Sequence, residues 1–337
     1  MGFNDFVIVP PEIRAITGVV DTYAKWKHAN GSPRGHEIYH PSAFGKCLRL
    51  MQYLRYEERG LLKSKTSEIE GKLVRLFDKG HNMHDRWARY FENIGVLRGI
   101  WECTNPMCQA ISQTVLDDEN ISCNITFRLD KIARPRRFGK DDRLGCFKPE
   151  KCCCGNKTFK YHEIAVQDKS LNMYGHVDMV LDFSKFDKEQ FSGVPLTFNI
   201  DDLPLSPVVV DMKTANDFRF QQVLRNGPGL DYRVQLVIYA NLLDLDYGVL
   251  IYENKNTSAV AAYRIDKDAD TVFSQIEQQA KTMDNMADLK LLPPPRPIEK
   301  DDYECKYCDF QHICHSSKIW DDPDLNKKRK NFYGTLL

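Results

Sequence analysis

The feature that most constrains the fold is the segment Val208–Ala215, in which three β-branched residues precede an Asp-x-Lys tripeptide. Such a run is typical of a buried strand. The strand would carry Asp211 and Lys213 to its end, where Thr214 could cap a following helix. A carboxylate and an amine two positions apart are candidates for a metal ligand and a base. Because Asp-x-Lys also occurs by chance, this interpretation depends on partners elsewhere in the chain.

Length and charge bound the class of protein. The 337 residues suffice for one large domain with an insertion or for two modest domains. The 47 Lys and Arg residues balance the 47 Asp and Glu residues, so net charge predicts no long-range attraction to nucleic acid or membrane. The sequence contains neither an apolar run of about 20 residues nor the regions of a signal peptide. We therefore expect an intracellular, cytoplasmic protein without membrane contact, in the host cytoplasm if the gene is phage-borne.

The eleven cysteines are clustered along the chain. Because a reducing compartment keeps thiols reduced, they predict metal ligands rather than disulfides. Cys47 stands alone. Another group lies between residues 103 and 154, and the last consists of Cys305, Cys308 and Cys314.

Residues 97–165 resemble a zinc ribbon, because two cysteine-bearing turns flank the strand-rich stretch Ile111–Leu129. Tetrahedral Zn²⁺ takes four thiolate or imidazole ligands. The second turn, Lys151–Gly155, is irregular, which leaves its ligands open. The ligand set that we prefer is Cys103, Cys108, Cys152 and Cys154, and the alternatives are Cys146, Cys153 and His162.

Periodicity predicts two helices before this insertion. One begins at an N-cap, Ser42, runs to about residue 58 and contains Cys47. The second runs from about residue 70 to residue 93 and has an inward face that includes His84. The other members of that face are Leu73, Leu76, Phe77, Gly80, Trp87 and Phe91.

After residue 167 the pattern indicates a mixed sheet. Tyr174–Phe183 alternates as one strand with Asp178 on one face, and an excursion returns the chain to Val208. Antiparallel neighbours joined in this way can bring Asp178 close to Asp211. A helix then places Gln235 and Tyr239 four residues apart on one face. Two strands and a helix at about residues 270–289 complete an α/β fold with helices flanking the sheet.

The C-terminal region reads as a separate segment. Pro293–Pro297 is a stiff linker that delivers the last three cysteines, and Asn326–Asn331 predicts a basic, mobile tail. We divide the chain at residues 1–96, 97–165, 166–292 and 293–337. These segments are an N-terminal helical region, the zinc-ribbon-like insertion, the core, and the C-terminal cysteine segment with its tail.

Four of these features, in this order, resemble the PD-(D/E)XK nuclease superfamily. The RecB-like branch, with the CRISPR-associated exonucleases and the AddB-type nuclease domain, is the more similar one. It carries Gly-x3-His on a helix, Gly-x2-Asp on a strand, an acid-x-Lys strand and Gln-x3-Tyr on the next helix. The resemblance spans about residues 42–92 and 170–316 and excludes the insertion. The matching pairs are Gly80 and His84, Gly175 and Asp178, Asp211 and Lys213, and Gln235 and Tyr239.

The resemblance also implies a [4Fe–4S] cluster that staples the ends of the nuclease region. That branch often binds the cluster through one early Cys and a late Cys-x2-Cys-x5-Cys, which Cys47, Cys305, Cys308 and Cys314 match. From spacing alone, a zinc site with four cysteine ligands is equally acceptable.

The implied function is that of a metal-dependent DNA exonuclease acting on ends or single strands in recombination, repair or replication. A helicase or a recombinase is an open protein partner. The alternatives are an endonuclease or nickase whose insertion selects the substrate, and a non-catalytic DNA-binding scaffold subunit. The polarity of digestion, DNA against RNA, the oligomeric state and the pathway are not written in these motifs.

The resemblance further implies the role of each residue. His84, Asp178, Asp211 and the Met212 carbonyl would hold Mg²⁺ or Mn²⁺. Lys213 would orient or deprotonate water, or bind the phosphate. Gln235 and Tyr239 would position Lys213 or the DNA backbone.

Overall fold

The computed structural model describes residues 11–30, 35–65, 70–108, 110–112, 144–152, 154–267, 271–299 and 302–334. Within these ranges the strands are β1 (Leu97–Cys103), β2 (Ile111–Ser112), β3 (Cys146–Phe147), β4 (Phe159–His162), β5 (Ile164–Asp168), β6 (Met173–Val177), β7 (Met179–Leu181), β8 (Val208–Ala215), β9 (Tyr247–Asn254) and β10 (Val260–Asp266). The α-helices are α1 (Pro11–Ala29), α2 (Leu48–Glu58), α3 (Gly71–Ile94), α4 (Asp217–Asn226), α5 (Leu230–Leu243), α6 (Val272–Asp288), α7 (Tyr303–Lys306), α8 (Gln311–His315) and α9 (Leu325–Tyr333).

The strand with the Asp-x-Lys tripeptide, β8, lies inside the sheet, as its β-branched sequence predicts. The order is β10-β9-β8-β7-β1-β2, and β8 is parallel to β9 and antiparallel to β7. Helix α5 packs against β8 and β9, and the C-terminal half of α3 packs on the other core cluster of the sheet. The prediction of an α/β fold with a mixed sheet between helices is confirmed.

Strand β1 connects the cysteine-bearing insertion to this sheet. Its first residues pair with β7 on one edge and β3 on the other, and Ile100–Cys103 pairs with β4. The short strand β2 pairs with the opposite edge of the same end. The insertion therefore shares a strand with the core. Most of its predicted strand-rich stretch, together with the rest of residues 113–143, lies outside the described residues.

The prediction of one strand over Tyr174–Phe183 is wrong, because the chain changes sheets at Asp178. Before that residue, β6 pairs with β5 as a separate hairpin. After it, β7 pairs with β1 and β8. Alternation of side chains is the same in one strand and in two strands joined at a bend, so the pattern could not locate the bend. The register that pairs Met179 with Val210 then places Asp178 beside Asp211.

Helix α3 has the predicted bounds, but half of its predicted inward face is uncovered. Trp87 and Phe91 pack into the core cluster under the sheet. By contrast, Leu73, Leu76 and Phe77 are 41–46% exposed. A helix of 24 residues is about 36 Å long, so its N-terminal half extends past its contacts with the sheet.

One predicted helix start and the predicted mobile tail are also corrected. Ser42 lies in a single 3-10 turn, and α2 begins only at Leu48 with Cys47 at its N-cap position. The intervening Gly45 touches the backbone at the start of α5, which leaves no room for a helix surface there. The predicted mobile stretch, Asn326–Asn331, lies in α9, whose Phe332 carbonyl accepts a hydrogen bond from α6.

Of the described helices, none is both long enough and apolar enough to cross a membrane.

The close approach of Gly45 to α5 predicts a stability effect. A Cβ at this position would lie 2.0 Å from the Asp231 Cα, a contact with backbone that cannot rotate away. We expect Gly45→Ala to lower the free energy of unfolding by roughly 1–3 kcal/mol because the segment must move. Urea denaturation measures the change.

Gly18→Ala in α1 is the matched control, since no atom lies within 4 Å of its Cβ position. Alanine there should stabilise by about 0.5–1 kcal/mol. Equal midpoints for the two variants would contradict the packing argument.

Candidate metal-binding active site and cysteine sites

Three chain segments meet at the candidate site: helix α3, the end of β6, and strand β8 at Asp211. The His84 Nδ1 on α3 lies 3.2 Å from the Asp178 Oδ2. The same oxygen accepts a hydrogen bond of 3.0 Å from the Met212 backbone N–H. Residues two apart on a strand share one face, and accordingly the Lys213 Nζ lies 2.7 Å from the Asp211 Oδ2. The structure thus places His84, Asp178, Asp211 and Lys213 close together.

Helix α5 supports Asp211 from the other side. The Gln235 Nε2 lies 3.3 Å from the Asp211 Oδ1 and 3.4 Å from the Tyr239 hydroxyl. Tyr239 is buried in the core cluster of the sheet. The predicted pair is therefore placed against Asp211 and not against Lys213.

The buried carboxylates perturb each other. Asp211 is 1% exposed, and burial followed by the charge of Asp178 raises its pKa to about 7. Burial also disfavours the Asp178 carboxylate, but the hydrogen bond and charge of His84 prevail and lower its pKa. Asp178 in turn raises the pKa of His84 against the effect of burial. In the metal-free site, Asp211 is therefore about half protonated near pH 7, and its charged fraction pairs with Lys213.

Lys213 is a cation in this environment. Burial alone would lower its pKa, but the charges of Asp211 and Asp178 outweigh it and raise the pKa. Its ammonium group lies 5.1 Å from the centre of the Tyr232 ring, a cation–π distance. Both contacts hold the amine at the strand end in its charged form.

The donor set fits a divalent cation. The Asp211 Oδ2 is buried and forms an ion pair of 2.7 Å with the Lys213 amine. The Asp178 carboxylate and the His84 imidazole lie at the same strand end. Two carboxylates and an imidazole are ligands that suit Mg²⁺ or Mn²⁺. His84, Asp178 and Asp211 could therefore hold such an ion.

Sequence reasoning missed two residues of this site. The Tyr161 hydroxyl on β4 donates to the Asp178 backbone oxygen at 2.9 Å. Glu163 keeps solvent contact, yet burial of its carboxyl group and the charge of Asp178 raise its pKa to about 7. Both residues lie in the segment assigned to the insertion and belong to no recognisable motif, so only the folded chain places them here.

The middle cysteines form a compact group. The Sγ atoms of four residues all lie within 4.8 Å of one another, and two pairs of them are 3.7 Å apart. Tetrahedral zinc with bonds of about 2.3 Å separates its sulfurs by about 3.8 Å. The group could therefore hold a metal ion. Its members are Cys103, Cys108, Cys152 and Cys154, the set preferred from the sequence.

Two of the alternative ligands are placed elsewhere. Cys146 is buried with its Sγ 3.7 Å from the Gly99 carbonyl, and His162 pairs with Glu102 at 2.7 Å. Cys153 lies outside the described residues. Within the group, the Asn156 backbone N–H is the main cause that lowers the pKa of Cys154 to about 6, which favours the thiolate form that binds metals.

Four other cysteines form a looser group: Cys47, Cys305, Cys308 and Cys314. Burial, and then the negative charges of the other three residues in their thiolate form, raise the pKa of Cys305 to about 11. Among the described residues, they do not reach the mutual 4.8 Å spacing of the first group. Nearby, the buried rings of Tyr53 on α2 and Phe310 between Cys308 and Cys314 stack at 5.3 Å.

The chain was compared with known proteins. A model of the PD-(D/E)XK nuclease superfamily matches residues 52–315, and the chain belongs to this superfamily. The solved crystal structure of SSO0001 is 13% identical with a TM-score of 0.40, and the alignment covers 89% of this chain and 96% of that one. No curated protein matches the chain.

The proton on Asp211 predicts how stability depends on pH. An acid whose pKa rises from 3.8 to about 7 on folding contributes stability that is complete below about pH 4 and lost as pH rises to about 7. Asn carries no charge to bury. The free energy of unfolding of metal-free Asp211→Asn protein should therefore exceed that of the wild type. The difference should grow from pH 4 to pH 7 and reach on the order of 2–4 kcal/mol.

Urea denaturation in EDTA between pH 5 and pH 8 measures this difference. Asp202→Asn, at an exposed position, is the control and should change little. Adding Mn²⁺ should stabilise the wild type more than Asp211→Asn. A variant that is less stable than the wild type at every pH in EDTA would refute the argument.

Proposed function

We propose that this protein is a metal-dependent DNA exonuclease of the RecB-like branch that hydrolyses phosphodiesters at DNA ends or in single strands. Superfamily membership supports a nuclease with DNA as its substrate. The observation that carries the proposal is the convergence of His84, Asp178, Asp211 and Lys213 at one strand end. A scaffold that had lost catalysis would have no need of all four.

We assign the divalent cation, Mg²⁺ or Mn²⁺, to His84, Asp178 and Asp211, with the Met212 carbonyl as a further ligand. When bound, such a cation polarises the phosphate and lowers the pKa of its water. The burial of Asp211 beside Asp178 and Lys213 supports this assignment. Met212 also supports this assignment. Its backbone N–H on β8 donates a hydrogen bond to the Asp178 carboxylate, and this bond holds the start of β7 in register with β8.

Lys213 acts in its charged form. Its raised pKa favours a phosphate-binding and water-orienting role over proton abstraction. The ammonium group neutralises the negative charge that develops on the phosphate oxygens as water attacks. The contact with Tyr232 keeps the flexible side chain aimed at the site.

Gln235 and Tyr239 act through Asp211. The Gln235 amide holds one carboxylate oxygen, which leaves the second oxygen for the cation. The Tyr239 hydroxyl fixes the amide in turn. Their replacement should therefore weaken metal binding more than it weakens the binding of DNA.

Two cysteine cofactors complete the proposal. The compact group has the spacing of a single tetrahedral ion, which supports a structural zinc in the insertion. In a [4Fe–4S] cluster each thiolate binds a different iron atom, so the sulfurs lie farther apart. The looser group supports that assignment and would tie α2 to α7 and α8. The division at residues 1–96, 97–165, 166–292 and 293–337 remains our proposed organisation.

Lys213→Ala tests the nuclease proposal. Loss of the only ammonium group that we assign to the reacting phosphate should lower the rate at least about 100-fold. The measurement is release of label from end-labelled linear DNA with Mg²⁺ or Mn²⁺. Lys281→Ala, an exposed position on α6, is the control and should digest like the wild type. If the wild-type protein digests DNA no faster than Lys213→Ala, the nuclease proposal is wrong and the interpretation as a non-catalytic scaffold remains.

An endonuclease or nickase is the second candidate. The hydrogen bond from Tyr161 to Asp178 favours it, since the insertion thereby touches the site and could select the substrate. Covalently closed circular DNA separates the two: an exonuclease leaves it intact, whereas an endonuclease or nickase opens it.

Metal analysis tests the cofactors. Anaerobically purified protein should be brown and contain about four iron atoms and one zinc atom per chain. Cys308→Ser should lose iron and colour while keeping zinc, and Cys108→Ser should lose zinc while keeping iron, so each variant controls for the other. If the wild-type protein is colourless and contains two zinc atoms, the looser cysteine group binds a second zinc ion and not an iron–sulfur cluster.

A further inference from the structure

A buried carboxylate joins α3 to the sheet close to His84. Glu253, near the end of β9, is 1% exposed. Both of its carboxylate oxygens accept hydrogen bonds from the Arg86 guanidinium on α3, and its Oε2 also accepts one of 2.6 Å from the Trp87 indole N–H. Arg86 and Trp87 follow His84 by two and three residues. The contact therefore lies within one helical turn of His84.

Stability alone does not account for a carboxylate at this position. Ile251, two positions earlier and thus on the same face of β9, packs into the apolar core cluster that includes Trp87. Replacing a buried ion pair by apolar residues of similar volume is often neutral or stabilising. Apolar packing has no preferred direction, whereas a hydrogen bond does. The Glu253 contact therefore adds orientation to an interface that apolar residues could have formed.

Strands on either side of β8 hold α3 on two flanks. The sheet order is β9-β8-β7, and Asp178 directly precedes β7. At about 4.8 Å per strand, Glu253 and Asp178 belong to strands about 10 Å apart. Viewed along the helix, Trp87 points about 60° away from His84, and Arg86 points about 160° away in the same sense. A rotation of α3 that carried His84 away from Asp178 would therefore also break the contact with Glu253.

His84 lies where α3 leaves its support on the sheet. On the C-terminal side, Trp87 and Phe91 pack into the core cluster. On the N-terminal side, Phe77 and Leu73 are 46% and 41% exposed. A residue at the end of the supported part moves farther than the residues behind it when the helix tilts. The contact with Glu253, within one turn, limits this movement.

We propose that Glu253 is a positioning residue of the metal site. Through Arg86 and Trp87 it holds α3 in the orientation in which His84 reaches a cation beside Asp178. The inference rests on the proposed function, because it concerns the cation that we assign to His84. Loss of a group that orients metal ligands typically lowers metal affinity by about 10- to 100-fold.

Binding of Mn²⁺ to the full-length protein without DNA tests the inference, because this measurement requires no cleavage. The electron paramagnetic resonance signal of free Mn²⁺ reports the dissociation constant. Glu253→Ala should bind Mn²⁺ about 10-fold more weakly than the wild type. Glu253→Gln should recover most of the affinity, since one amide oxygen can accept hydrogen bonds from both donors. Equal affinity of Glu253→Ala and the wild type would overturn the inference.

A double-mutant cycle tests whether Glu253 acts through His84. In protein that carries His84→Ala, the further change Glu253→Ala should alter the Mn²⁺ affinity by less than about 2-fold, because the ligand that Glu253 positions is gone. A second loss as large as the first would mean that Glu253 acts on the site by another route. That result would also overturn the inference.

Asn254→Ala is the matched control for a general loss of stability. Asn254 is the next residue on β9 and is 3% exposed. Its side chain points to the other face of the strand and donates a hydrogen bond of 2.8 Å to Asp217 at the start of α4. Its loss should destabilise the fold and leave the Mn²⁺ affinity unchanged. If Asn254→Ala weakens Mn²⁺ binding as much as Glu253→Ala does, the positioning role is wrong.

Trp87→Phe tests the same contact if Glu253→Ala does not fold. This change deletes one donor to Glu253 and keeps an aromatic ring in the core cluster. Loss of one hydrogen bond should weaken Mn²⁺ binding about 3-fold, and only in protein that keeps His84. Unchanged Mn²⁺ affinity of Trp87→Phe would overturn the inference.

Separate readouts distinguish failure of this inference from failure of the proposed function. Digestion that depends on Lys213, with normal Mn²⁺ binding by Glu253→Ala, would overturn the positioning role and keep the nuclease. Weakened Mn²⁺ binding by Glu253→Ala in a protein that digests no DNA would support the positioning role and overturn the nuclease. Wild-type protein that binds no Mn²⁺ would overturn the metal assignment and this inference together.

Discussion

The repulsion between two buried carboxylates is the interaction on which the site depends. The antiparallel register of β7 and β8 brings Asp178 and Asp211 together regardless of their charge. His84 and a backbone N–H compensate Asp178, whereas burial and the charge of Asp178 outweigh the Lys213 ion pair at Asp211 and raise the pKa of Asp211 to about 7. Backbone pairing thus keeps two negatively charged groups close together, and a divalent cation is suited to bind between them.

Strand β1 gives the cysteine-bearing insertion a physical connection to this pair. Cys103 lies opposite Phe159 in the β1–β4 ladder, and Tyr161, two residues on, donates to the Asp178 carbonyl. The Tyr161 ring covers Gly99, where a Cβ would lie 2.2 Å from a ring carbon. The insertion therefore supports the bend at Asp178, and its compact cysteine group holds the far end of the same ladder.

The two cysteine groups show how far spacing in a sequence can be interpreted. Both offer four thiols, and sequence spacing alone left zinc acceptable for each. The folded chain separates them, because one group has all its sulfurs within 4.8 Å and the other does not. A single ion requires its ligands to touch one centre, while a cluster spreads them over several metal atoms.

The sequence by itself determined the elements and the motif residues: the buried strand with Asp211 and Lys213, the bounds of α3, and membership of the superfamily over residues 52–315. Only the tertiary structure decided the bend at Asp178, the entry of Tyr161 and Glu163 into the site, and the exposure of Phe77. The reason is that periodicity reports which face of an element is apolar. It carries no information on where the neighbouring element ends, and that end decides which part of the face is covered.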